Sequence, residues 1–205
     1  MCNRYRVTAD DAALIARYGL SPLGEFEKLP PPEMFPKKPA YVVRRDDNGT
    51  RRLAVMAWGF PHTVKTKTGK LVEKPVTNVR NLSSSFWRSA LATPGRRCLV
   101  PVTSFSEYGP GEPGKLPLHW FDVPSVPIFS FAGIWRPVPG GAVFAFLTCE
   151  PNVLVAPIHP KAMPVILHVD NEDRWLNADL DEALALVAPF PSQLMTVSAA
   201  EDSKS

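Results

Sequence analysis

The residue of this 205-residue sequence best placed for unusual chemistry is Cys2. Loss of Met1 leaves it with a free α-amine and a thiol on adjacent carbons, a 1,2-aminothiol. An α-amine titrates near ~7.7–8.0 and a thiol near ~8.5, so a useful fraction of each is nucleophilic at neutral pH. Such a pair traps aldehydes. The amine condenses to an imine and the thiol closes on it to give a five-membered thiazolidine, a route closed to an internal cysteine. A chance cysteine behind a retained or trimmed methionine is the other reading of this position. Glu107 follows the apolar run Leu99–Phe105, which sets it at a strand end beside a cavity, where burial raises a carboxyl toward the range useful for proton transfer. The alternative is an exposed strand-end acid. His159 lies between Pro157 and Pro160, in a stiff segment that aims a side chain at low entropic cost, and an imidazole titrating near ~6.5 suits proton movement. A packed loop histidine is its rival reading, and His62, His119 and His168 are expected to be structural.

The cysteines at 2, 98 and 149 cannot all pair with one another and match no zinc ribbon or CxxC spacing, so any cysteine that matters acts as a thiol. Scattered Cys and His lack the short spacing of metal ligands, and no metal or other cofactor is expected.

Elements must bring these residues together. Thr8-Ala9-Asp10-Asp11 resembles a capping box ahead of a short helix over Ala12–Tyr18 that Gly19 stops. Prolines at 22, 30, 31, 32, 36 and 39 make 20–40 an extended wrap. Tyr41–Arg45 and Arg52–Trp58 form a hairpin through Asn48-Gly49. Lysines between Pro61 and Lys74 read as an exposed basic loop, and Ser83-Ser84-Ser85 caps a helix through Leu91. Strands are expected at Cys98–Phe105, Leu116–Val123, Ile128–Trp135, Ala142–Thr148, Met163–Val169 and Met195–Ser198, with two short helices over Glu172–Leu186 broken near Asn177.

With 45% hydrophobic and 21% charged residues the chain is an ordinary globular one, and 23 prolines argue against a long-helix bundle. We expect a single α+β domain over 1–198, dominated by a curved or barrel-like, mainly antiparallel β-sheet with short peripheral helices, and a disordered polar tail at 199–205. No apolar run approaches the ~20 residues of a membrane span and the start lacks a secretory signal. A cytoplasmic monomer is expected. The net charge of +3 permits contact with a polyanion without requiring it.

Five short segments, in order over most of the chain, resemble one family. Met1-Cys2-Asn3-Arg4-Tyr5 is similar to its Met-Cys-Gly-Arg-Phe start, Trp58-Gly59-Phe60 to its Trp-Gly-aromatic segment and Asn78-Val79-Arg80 to its Asn-x-Arg. Cys98-Leu99-Val100-Pro101 leading to Phe105-Ser106-Glu107-Tyr108 resembles Cys-x-x-Pro…Phe-x-Glu-Trp. Leu147-Thr148 with His159-Pro160-Lys161-Ala162-Met163-Pro164 resembles the Leu-Thr and His-Pro-x-x-Met-Pro ending. The family is the SOS-response-associated peptidase (SRAP) family of abasic-site processing proteins.

The resemblance implies a protein that removes its own Met1, binds single-stranded DNA and captures the ring-opened aldehyde of an abasic site through Cys2, nucleoid-associated when bound. It implies proton transfers by Glu107 during Met1 removal and imine formation, and by His159 on the deoxyribose. Asn78 and Arg80 alternate, so on an extended segment both face one way and can hold a sugar-phosphate and the N-terminal residue. Arg4 and Lys161 are candidate phosphate contacts, and Trp58 and Phe60 could stack on bases, with core packing as the rival reading. Four positions depart from the family pattern. Asn3 replaces Gly, Asn81-Leu82 follows the Asn-x-Arg where x-Glu is common, Pro36 replaces an Asn-containing turn, and Tyr108 stands where Trp is usual. The rivals in other classes are an N-terminal-nucleophile amidase and a non-covalent single-strand binder.

Overall fold

The computed structural model describes residues 2–20, 30–112 and 114–199. Residues 21–29 of the expected wrap over 20–40 and all but the first residue of the expected tail lie outside them, as does Met1.

The elements run β1 (Tyr5–Arg6), α1 (Asp11–Tyr18), β2 (Glu33–Met34), β3 (Pro39–Arg45), β4 (Arg51–Trp58), β5 (Phe60–Lys65), β6 (Leu71–Val76), β7 (Asn78–Val79) and α2 (Ser85–Ala92). Then come β8 (Arg97–Val102), β9 (Ser104–Tyr108), β10 (Leu118–Asp122), β11 (Phe129–Val138), β12 (Gly141–Cys149), β13 (Met163–Pro164), β14 (Ile166–Leu167), α3 (Glu172–Asn177), α4 (Leu180–Leu184) and β15 (Thr196–Ala199).

Strands β12, β4, β3, β8 and β11 pair in that order, and β11 pairs back onto β12, so they close a five-stranded barrel. Every pairing in this ring is antiparallel except β4 with β12. A second antiparallel sheet, in the order β15-β10-β9-β1-β2, packs beside it. Tyr5 joins the two. Its ring lies edge-on to Trp58, Phe131 and Phe146, with centroids 5.2, 6.1 and 6.2 Å away. This is the barrel-like, mainly antiparallel architecture with short helices that the sequence led us to expect.

The β3–β4 hairpin forms as expected, with Gly49 at φ 77. Helix α1 is capped two residues beyond the expected cap: Asp10, not Thr8, accepts from the Ala13 N–H at 2.8 Å, while Thr8 is bonded to Thr103 Oγ1. The apolar run Cys98–Phe105 is two strands, because the chain leaves the barrel at Thr103, whose N–H and hydroxyl both donate to the Arg6 carbonyl. That break carries Glu107 from the barrel to a position beside β1. The expected strand Met163–Val169 likewise splits, β13 pairing with β12 and β14 with β11.

The basic stretch after Pro61 is not a loop. β5 and β6 form a two-stranded hairpin, from Phe60 opposite Val76 to Lys65 opposite Leu71. The interspersed lysines hide the strand pattern of Val64, Val72 and Thr63, which needs no core when the ladder satisfies the backbone. Gly59 launches this hairpin at φ 123, and a Cβ there would lie 2.5 Å from Pro75 Cβ, so only glycine fits.

Glu172 is wholly buried at the start of α3 and ties the outer helices to the barrel. It takes Arg17 Nη2 at 2.6 Å and the Ser130 hydroxyl at 2.6 Å on Oε1, with Arg51 Nη1 at 3.5 Å from Oε2. Glu172→Gln should lower stability by about 2–3 kcal/mol, because two arginines then face a neutral amide. That is less than a fully buried pair would lose, since Arg17 and Arg51 keep 17% and 18% of their side-chain exposure. Denaturant midpoints of the two proteins measure it.

Candidate active site around Cys2

Along β1 the side chains alternate, Tyr5 and Val7 inward, Arg4 and Arg6 outward. Continued one residue further, that alternation would bury Asn3 and expose Cys2. The chain leaves the ladder before Tyr5, and the reverse holds: Asn3 is exposed and Cys2 is 1% exposed. Asn3 needs no glycine-like backbone, since among the described residues Lys37 is the one non-glycine with positive φ.

Three elements then converge on Cys2. Its thiol donates to the Arg4 carbonyl at 3.5 Å. Asn78 comes from β7, which pairs in parallel with β12; it is buried, and its Nδ2 donates to the Cys2 carbonyl at 3.2 Å and to Thr77 Oγ1 at 2.7 Å. Among the described residues its buried Oδ1 has no hydrogen-bond partner. Glu107 arrives on β9 and is 5% exposed, and its Oε2 lies 3.9 Å from His159 Nε2. The imidazole is oriented from behind, Nδ1 lying 2.9 Å from the Ala162 carbonyl. Donation from Nδ1 to that carbonyl fixes the tautomer in which Nε2 bears the lone pair toward Glu107.

The electrostatics follow from burial. Removal from water pushes the Glu107 carboxyl up from 4.5 to about 7. Burial pulls His159 down, so the imidazole is neutral near pH 7. The Cys2 thiol does not ionise near its ordinary value as the sequence led us to expect: burial, and then the charge of Glu107, push it well up. A neutral thiol must lose its proton as it attacks, which makes a neighbouring base a requirement. The carboxyl titrating near 7 is suited to that, being present in both forms at neutral pH.

The other expected site residues are placed as follows. Arg80 lies beyond the end of β7, so its side chain parts from that of Asn78; it is exposed and its guanidinium bonds Glu150 Oε1 at 2.6 Å and the Lys161 carbonyl. Its observed contact is thus with the segment that carries His159. Arg4 is held by Glu33, with Nε and Nη2 at 3.0 and 2.7 Å from Oε2, so a phosphate there must compete with a carboxylate. Lys161 is exposed and lines a cleft of about 510 Å³ with His159 and Tyr108. Trp58 and Phe60 have no exposed surface and cannot stack on a base here. Trp58 stacks on Phe146 with centroids 5.2 Å apart and donates Nε1–H to the Thr77 carbonyl, while Phe60 packs against Phe86 beneath Arg136.

Two aromatic residues that sequence reasoning did not select stand at the site instead. Phe35 is 42% exposed and Tyr108 54%. Both line a second cleft, of about 430 Å³, with Asn3, Arg4 and Pro36. Tyr108 lines both clefts, so they are neighbours across this residue. The available signal for Tyr108 was its place directly after Glu107, where alternation turns its side chain outward. Asn152 was also missed. Its Oδ1 accepts from the N–H groups of Leu154 and Val155, and its Nδ2 donates to the Phe190 carbonyl at 2.7 Å, which pins the segment leading to His159. Among the described residues no group of His, Cys, Asp and Glu could hold a metal, and no helix is long and apolar enough to cross a membrane.

A small barrel flanked by a second sheet, with a buried Cys2 bonded by Asn78 and beside it a buried Glu107 whose carboxylate lies 3.9 Å from His159, defines the fold and site. The chain belongs to the SRAP family: the family profile described as "SOS response associated peptidase (SRAP)" matches residues 1–203. Curated relatives carry the name abasic site processing protein. One is YoqW of Bacillus subtilis (strain 168), 27% identical over 207 residues that cover 95% of this chain and 90% of YoqW. Another is YobE of the same organism, 26% identical over 208 residues, 95% of this chain and 92% of YobE. Among solved structures, a Bordetella bronchiseptica protein superposes with a TM-score of 0.79 at 22% identity, over 98% of this chain and 100% of that one. A Bacteroides thetaiotaomicron protein does so with the same score and identity, over 98% and 93%. At that identity the two structures speak to the fold.

Proposed function

We propose that this protein processes abasic sites in single-stranded DNA by covalent capture at Cys2, acting as a monomer without a cofactor. The observation that carries the reading is the meeting of Cys2, Asn78, Glu107 and His159 at one place, with a carboxyl poised near pH 7. The family and the names of the curated relatives support it.

The steps balance. Water adds to the Met1 carbonyl, with Glu107 moving its proton to the departing nitrogen, so that the Met1–Cys2 peptide bond breaks to release free methionine and the Cys2 amine. The amine adds to the ring-opened deoxyribose aldehyde and loses water to give an imine. The thiol sulfur then adds to the imine carbon while Glu107 takes its proton and the nitrogen gains one, closing the thiazolidine. Aminothiol plus aldehyde thus gives thiazolidine plus one water. Asn78 holds the Cys2 carbonyl, and neutral His159 exchanges a proton with the sugar oxygen as the ring opens or the adduct reverses. Phe35 and Tyr108, rather than Trp58 and Phe60, offer ring faces to flanking bases, at ~1–3 kcal/mol per base. Lys161 contacts phosphate directly, and Arg4 and Arg80 do so by exchanging their carboxylates.

One denaturing gel tests this. Purified protein with a single strand carrying an abasic site should give a heat-resistant band at the combined mass, and none with DNA lacking the aldehyde. Affinity without any such band would favour the non-covalent binder, and turnover of a small amide the amidase.

A further inference from the structure

The clefts at the site do not end there. A third cleft, of about 400 Å³, shares Pro75 with the one that holds Phe35 and Arg4, and takes in Lys37, Gly59, Pro61 and Glu73. The three are therefore neighbouring clefts, from the one at His159 past Tyr108 and Pro75 to the one at the base of the β5–β6 hairpin.

Register assigns the faces of that hairpin. Phe60, His62 and Val64 share one face with their partners Val76, Lys74 and Val72, and this face turns to the body through Phe60 and His62 against Phe86. Pro61, Thr63 and Lys65 share the other with Pro75, Glu73 and Leu71. Pro61, Glu73 and Pro75 line the third cleft, so the same face continues outward to Lys65 and to Leu71, which is 66% exposed. Lys67 and Lys70 lie in the turn beyond. Among the described residues no carboxylate lies within ion-pair distance of Lys65, Lys67 or Lys70, whereas Arg4, Arg6, Arg80 and Arg52 each have one.

We propose that this hairpin is an arm that holds the single strand beyond the lesion, its lysines on phosphates and Leu71 against a sugar or base, as the strand leaves the clefts at Pro75. The inference rests on the single-strand reading above and extends it to a surface that reading does not use. Uncompensated positive charge next to exposed apolar surface, beside a succession of clefts, is what a strand of phosphates and base faces complements. Glu73 at the foot of the cleft keeps phosphates from its floor and favours contact further out.

The test compares Lys65→Ala/Lys67→Ala with an equal change of charge elsewhere, Arg52→Ala/Arg174→Ala, both made in the full chain. For an undamaged strand of about 30 nucleotides, the lysine variant should lose roughly tenfold or more in affinity. Its plot of log affinity against log salt should flatten by ~1.4, or ~0.7 per contact. On a strand of about six nucleotides, too short to reach the arm, it should match wild type in both affinity and abasic adduct yield. The arginine variant should match wild type on both strands. Wild-type affinity and salt slope in the lysine variant on the long strand would overturn the arm, as would an equal loss in the arginine variant, which would mean net charge alone. Failure of wild type to form any abasic adduct would instead overturn the capture reading, and the undamaged-strand comparison would still decide the arm.

Discussion

Cys2→Ser protein, mixed with a single strand bearing an abasic site, is expected to give no heat-resistant adduct, a fall of at least about a thousandfold from wild type. The reason lies in what each nucleophile at this residue does. The amine alone makes an imine, which hydrolyses readily and acidifies the neighbouring sugar carbon, opening a path to β-elimination of the strand. Sulfur closes the ring and removes that imine. A serine hydroxyl is a far poorer nucleophile than a thiol, and at a position 1% exposed it gains no help from solvent. The variant should therefore remain trappable by borohydride and should nick the strand, provided intact mass confirms that Met1 is gone. A serine or alanine variant forming the heat-stable adduct as well as wild type would show that sulfur is not the trap, and Lys161 or a hairpin lysine would then be the residue to seek.

Glu107→Gln is expected to slow adduct formation by about 10²–10⁴-fold, the usual worth of a positioned general base or acid. It should also retain Met1 in intact mass when wild type, made alike, has lost it. The pH profile separates this role from a structural one. In wild type the rate of stable adduct formation should rise as pH passes through about 7, because ionised Glu107 takes the thiol proton. The glutamine variant should keep only the later rise that belongs to the amine, near ~8. Stability should respond in the opposite sense. The folded carboxyl is raised above its ordinary 4.5, so the stability it lends is complete below that pH and is lost as pH rises through about 7. Relative to a glutamine variant with the same N-terminus, wild type should lose roughly 2–3 kcal/mol between pH 4.5 and 8. A difference independent of pH would mean that Glu107 is not the group titrating there.

The chemical inventory of the site was legible because it is local. A cysteine directly after Met1, a glutamate closing an apolar run and a histidine between prolines are properties of neighbouring residues. The Asn48-Gly49 hairpin and the stop at Gly19 were legible for the same reason, since a turn or a cap is decided within a few residues. The aromatic residues were not. Trp58 and Phe60 flank Gly59 in a motif that reads equally well as a stacking platform, and only the tertiary structure buries them, Trp58 against Phe146 of the barrel and Phe60 against Phe86 of α2. The same fold leaves Phe35 and Tyr108 exposed at a cleft.

Charge behaved in the same way. Arg4, Arg80 and Lys161 look alike as free cations along the sequence, yet Glu33 and Glu150 claim the first two. The lysines after Pro61, with solvation the simplest account of them, stand on a regular hairpin one face of which lines a cleft. By itself the sequence determined which reactive groups the protein owns, since a cysteine directly after Met1 is a matter of residue order alone. Only the tertiary structure decided that the thiol is neutral, that Glu107 titrates near 7, and which rings and cations face solvent. Those properties depend on what lies across each side chain in space, and the strands that supply it come from distant parts of the chain.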